Sequence, residues 1–187
     1  TNRGKVQTMK NQQTQHMIIN AVLFQCCWFL AIFSDWYLAV MPLLLMVAHI
    51  YWVSARKLHE LKLAVGIAFS GITIDTLFKV NGIYSFGDEL LLTDRSVPVW
   101  LCVLWLGFAL TINHSLNWLV KKAPWFIIGC AIAGPISYST GRANGVIDFS
   151  NQSLGLISIE WIVIALITIY LASPQVLSRF MVRRAVS

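Results

Sequence analysis

Two sets of polar residues sit inside stretches that are otherwise apolar, and their types limit the chemistry they could perform. The first is Asp75, Lys79, Tyr138, Arg142 and Glu160. Two carboxyls, two bases and a phenol could bind a charged headgroup as substrate or move protons. The second is Asn113, His114 and Asn117, with Asn20, Gln25 and His49 at similar depth. There His114 would be the catalytic general acid or base, because imidazole titrates nearest neutrality, and the asparagines would orient it or its substrate. Each set also has a plainer explanation. A base in the last turn of a helix stabilises the C-terminal dipole, an acid four residues before a base is the favoured helical ion pair, and membrane polar groups commonly bond to neighbouring helices. The acids weigh more heavily, since a charge at the centre of a membrane helix costs about 2.5–3.5 kcal/mol.

Other chemistry is narrowed by what the chain lacks. No HxxxH cluster, GxSxG elbow, P-loop or HExxH motif occurs. Cys26, Cys27, Cys102 and Cys130 lie in apolar runs without metal-type spacing, so no metal site is expected. No cofactor is expected either; the alternative is a b-type haem with His49 and His114 as its axial pair.

These residues must be positioned by membrane helices. The chain is 57% hydrophobic and 12% charged, with mean hydropathy +0.68, against about 25% charged in a soluble domain. Six apolar runs, 17–34, 36–54, 62–80, 98–119, 124–142 and 155–173, approach the roughly 20 residues needed to cross hydrocarbon. The expected fold is an all-α membrane protein of six transmembrane helices in three antiparallel hairpins. Residues 1–16 form a polar leader, 17–173 one transmembrane domain and 174–187 a basic tail. The first run is read as a retained anchor, being too long for a signal peptide and lacking a small-residue cleavage site. Met9 and Met17 are candidate starts, and nothing functional is expected in the first eight residues.

Eleven of the fourteen Lys and Arg residues fall on one side of these crossings, which places both termini in the cytoplasm. The net charge of +6 follows from that distribution. No basic stripe interleaved with aromatics accompanies it, so nucleic acid is not an expected partner.

One motif is used twice. Lys79-Val-Asn-Gly-Ile-Tyr-Ser-Phe86 is echoed sixty-three positions later as Arg142-Ala-Asn-Gly-Val-Ile-Asp-Phe149. The same shift aligns Gly66 with Gly129, Gly71 with Gly134 and Asp75 with Tyr138, as a parallel repeat of the second and third hairpins would. Asn-Gly supplies a left-handed helix stop in each copy. Residues 83–97 are expected as an external loop whose Leu90–Leu92 run returns to the membrane surface. Gly129, Ala133, Ser137 and Gly141 recur every fourth residue as a small-residue stripe, and Pro135 is expected to kink that helix. Trp100 and Trp118 are expected as interfacial anchors.

The runs Asn20–Phe29, Asp75–Phe86, Pro98–Trp105, Thr111–Trp118 and Gly134–Gly141 together resemble the DUF2878 family over nearly all of 17–173. The resemblance implies a small, multi-pass protein of the bacterial inner membrane. It carries over no catalytic residue. Genes of this group lie near enzymes that modify membrane fatty acids and near photo-oxidative stress genes. The expected function is therefore action on, or support for, modification of lipid or fatty acyl chains in envelope or photo-oxidative stress. Its partners would be membrane lipids and a membrane protein. The alternatives are a small proton- or cation-coupled transporter using Asp75 and Glu160, and a non-catalytic scaffold.

Overall fold

The structure, a computed structural model, describes residues 2–87 and 95–172. It is mostly helical. Helix α1 runs Asn2–Phe33, so the polar leader continues into the first span without a break. A 3-10 turn at Trp36–Ala39 leads into α2, Val40–Val53. Helix α3 spans Lys57–Val80, α4 Val99–Ala109, α5 Asn117–Val120, α6 Ala123–Ala143 and α7 Ser153–Ala172. Neighbours pack in the series α2, α1, α4, α3, α7, α6.

Among the described residues four segments are long and apolar enough to cross a membrane: Asn11–Phe33, Trp36–Val53, Lys57–Val80 and Ser153–Ala172. Helix α6 has 21 residues, but its Gly, Ser, Thr and Pro content leaves it outside that apolar class. The fourth expected crossing is interrupted. Where an unbroken helix was expected over 98–119, α4 stops at Ala109 and turns occupy 110–116. Short polar side chains compete for backbone groups there: Thr111 Oγ1 donates to the Phe108 carbonyl at 2.6 Å. Asn20, fully buried on α1, stabilises the break. Its Nδ2 donates to the Leu110 carbonyl at 3.2 Å, and its Oδ1 accepts from Ser115 Oγ at 2.7 Å and Ser115 N at 3.3 Å. Asn113 and Asn117 consequently do not share one helical face.

The two Asn-Gly motifs adopt the same local structure. Asn81 Nδ2 donates to the Leu77 carbonyl and Asn144 Nδ2 to that of Thr140, both at 2.7 Å. Gly82 and Gly145 then take φ of 69° and 74°, a region that L side chains enter only with strain. Each turn releases a short strand, β1 Tyr84–Phe86 and β2 Ile147–Phe149. The strands pair antiparallel with Tyr84 opposite Phe149 and Phe86 opposite Ile147.

The glycines aligned by the same shift are also used alike. A Cβ on Gly71 would run into the ring of Trp105, and one on Gly134 into the ring of Trp161. The two indoles meet between the halves, stacked at 5.2 Å and 24°. The small-residue stripe is divided in use. Gly129 faces Leu119 and Gly141 faces Ile147, while Ala133 and Ser137 border a cavity. Helix α6 runs on through Pro135. Trp118 is exposed as an interfacial anchor would be, whereas Trp100 is buried against Phe86 at 5.9 Å. The Leu90–Leu92 run, the acids Asp88, Glu89 and Asp94, and the tail 174–187 lie outside the described residues.

Candidate functional site: a buried acid pair behind an apolar cavity

Asp75 is fully buried on α3, one turn after Gly71. Because Gly71 has no side chain, Trp105 of α4 lies flat on α3 with its indole N–H within reach of the carboxylate. Trp105 Nε1 donates to Asp75 Oδ2 at 2.5 Å. Tyr138 of α6 donates its hydroxyl to Oδ1 at 2.5 Å, and Tyr84 of β1 donates to the same oxygen. The β1–β2 pairing holds Tyr84 over the site, its ring 5.8 Å from that of Tyr138. Burial and the nearby Asp75 and Glu160 carboxyls push the Tyr84 phenol well above its usual range, so it stays a donor.

Glu160 of α7 is 1% exposed and interacts directly with Asp75. Neither of its carboxyl oxygens makes a hydrogen bond of ordinary geometry. Among the described residues this is a concentrated polar defect in an apolar interior, and such groups normally find partners.

Of the first set expected from sequence, the structure brings together Asp75, Tyr138 and Glu160. Lys79 and Arg142 are not among the donors on Asp75. Lys79 Nζ donates to the Ser96 carbonyl at 2.6 Å, just before α4. Arg142 Nη1 donates to Asn151 Oδ1 at 2.8 Å, just before α7, with Nε 3.5 Å from Asp148. Both bases tie the end of one helix to the start of the next.

The second set is organised by Glu60, a residue of the stretch 54–62 whose charged composition reads as a solvated cytoplasmic link. Glu60 lies in the first turn of α3. Its Oε2 accepts from Asn113 Nδ2 at 3.0 Å and lies 3.6 Å from His114 Nε2, and its Oε1 accepts from Ser54 at 3.3 Å. His49 meets His16 of α1, Nε2 to Nδ1 at 3.2 Å. A haem held between His49 and His114 would have to displace both contacts. Among the described residues no group of three or more His, Cys, Asp or Glu side chains is placed to hold a metal ion. Asn117 opens α5, and its backbone N–H bonds to the His114 carbonyl at 3.3 Å.

A cavity of about 560 Å³ lies between α1, α4, α6 and α7. Phe24, Trp28, Trp105, Phe108, Tyr138 and Trp161 supply its aromatic walls. Its exposed lining residues are Ala21 and Gln25 on α1 and Ala133 and the 61% exposed Ile136 on α6, which puts its mouth between these two helices. Trp28 Nε1 donates to Ser137 Oγ at 2.8 Å across that gap. An amide inside an apolar run reads from sequence as facing protein rather than lipid, but Gln25 stands exposed at the rim of this mouth. Thr111, Ser115 and Leu116 also line the cavity, so it passes beside the helix break.

A helical bundle with several helices long and apolar enough to cross a bilayer marks a membrane protein. The chain belongs to the DUF2878 family, whose model carries the description "Protein of unknown function" and matches residues 17–168. No curated protein and no solved structure matches it.

Proposed function

We propose that this protein crosses the bacterial inner membrane six times with both termini in the cytoplasm, and that it takes a lipid acyl chain into the α1/α4/α6/α7 cavity to act on it or support its modification. In this topology α4 with the turns after it forms the fourth crossing and α6 the fifth, as the length of α6 and the distribution of bases support. The two Asn-Gly units form a parallel repeat, supported by their matched caps and matched glycine–tryptophan contacts.

The cavity carries the functional reading. Its volume of about 560 Å³ falls in the roughly 300–1,000 Å³ range of small-molecule sites. Its walls are apolar, and its rim opens sideways between two membrane helices. A hydrocarbon chain could therefore enter from the bilayer without crossing water. Gln25, Ser137 and Tyr138 would meet an ester, hydroxyl or carboxyl on that chain. The His114–Glu60 pair, one residue from the wall at Ser115, is the acid–base group of this reading, with Asn113 positioning Glu60.

The test compares membrane lipid profiles of a deletion strain complemented with the wild type, with Ala133→Trp, which fills the mouth, and with His114→Ala. The reading expects altered lipids in the deletion strain that only the wild type restores. Identical lipids in all four strains would remove it. Burial of Asp75 against Glu160 favours a second reading, a proton- or cation-coupled transporter. Proteoliposome flux that is abolished by Asp75→Asn would select it.

A further inference from the structure

Two side chains belong at once to the cavity wall and to the acid pair. Trp105 and Tyr138 both line the cavity, and each donates to Asp75 at 2.5 Å. An oxygen pair receiving three donors suits an ionised carboxylate. A second carboxyl at such close quarters cannot ionise as well without a large cost, so the pair holds one proton between them. Among the described residues the other titratable groups facing Asp75 are Tyr84 from β1, Cys102 from α4 and Tyr138 from α6. On its own helix, Lys79 reaches Ser96.

We propose that filling the cavity is linked to the uptake of a second proton by the Asp75–Glu160 pair. A chain pressing on Trp105 or Tyr138 would turn a ring and withdraw a donor from Asp75. A carboxylate that loses such a donor in an apolar site binds a proton more readily, and that proton comes from water. Linkage is reciprocal, so lower pH tightens binding, by up to about tenfold per pH unit for one linked proton. This inference rests on the cavity being a ligand site.

The test uses the full-length protein in nanodiscs and a neutral probe, hexadecanol bearing a diazirine, whose own charge does not change with pH. Photolabelled peptides are mapped across a pH series. The expected result is label on the cavity-lining parts of α1, α4 and α6, half-saturating at lower probe concentration as pH falls. That pH dependence should vanish in the Asp75→Asn/Glu160→Gln double variant. Cavity labelling that is the same at every pH in the wild type would overturn the linkage and leave the ligand site standing. Label spread over lipid-facing surfaces without enrichment at the cavity would overturn both. Should the double variant not fold, infrared difference spectra of the wild type decide. A protonated-carboxyl band gained on adding the probe supports the linkage, and an unchanged carboxyl region sinks it.

Discussion

Asp75 and Tyr138 stand sixty-three residues apart at matching places in the two Asn-Gly units, and the phenol of one donates to the carboxylate of the other at 2.5 Å. The repeat thus meets itself at its most polar point. An acid in one copy and a donor in the other complete a bond that two identical copies could not make.

Replacing Asp75 by Asn should destabilise the protein by about 1–3 kcal/mol, the cost of leaving a buried polar group badly matched. Three donors converge on the carboxylate, and the amide presents one of them with another donor. Glu160→Gln should cost less, because the Glu160 oxygens make no ordinary hydrogen bond to lose. Thermal unfolding in detergent ranks the two; equal losses would argue against this division of roles.

Gly71→Ala and Gly134→Ala should each cost about 1–3 kcal/mol through overpacking. In both cases the new methyl meets an indole ring that is itself stacked on its counterpart. Gly155→Ala is the control. Its Cβ meets nothing within 4 Å, so unfolding temperatures should show it neutral or stabilised.

Gly82→Ala and Gly145→Ala should each lose about 1–2 kcal/mol from backbone strain alone, since φ is 69° and 74° and neither Cβ would touch a neighbour. Asn at either site should recover part of the loss, because Asn tolerates this conformation better. Chemical denaturation of the four variants checks the order.

Asn20→Ala should destabilise the break after α4 by about 1–3 kcal/mol, the penalty for stranding buried backbone groups. It removes the partners of the Leu110 carbonyl and of Ser115. Hydrogen exchange at residues 110–116 should quicken more than exchange in α7. Uniform quickening throughout would instead indicate general loosening.

Much of the site could be read from residue types. Asp75, Glu160 and Tyr138 stand out because polar groups are scarce in apolar runs, and the Asn-Gly echo aligns two of them. Sequence gives depth along a helix but not which helices are neighbours. That is why Tyr84 and Trp105 were missed as donors, although Gly71 one turn before Asp75 was the available sign of a large ring packing there. The unbroken 98–119 helix was the wrong expectation for a related reason. Hydropathy averages over Thr111, Asn113, His114 and Ser115, while the amide that makes their turns tolerable lies on α1 at Asn20. Glu60 was placed in solvent because charged link residues usually are. Its partners Asn113 and His114 come from a segment more than fifty residues away.

The Trp105–Trp161 stack gives the molecule an optical reporter of its own. Two indoles this close couple their strong far-ultraviolet transitions, and the resulting exciton dichroism belongs to neither ring alone. One ring is carried by each half, so the signal registers whether the halves are seated on each other, with no label attached.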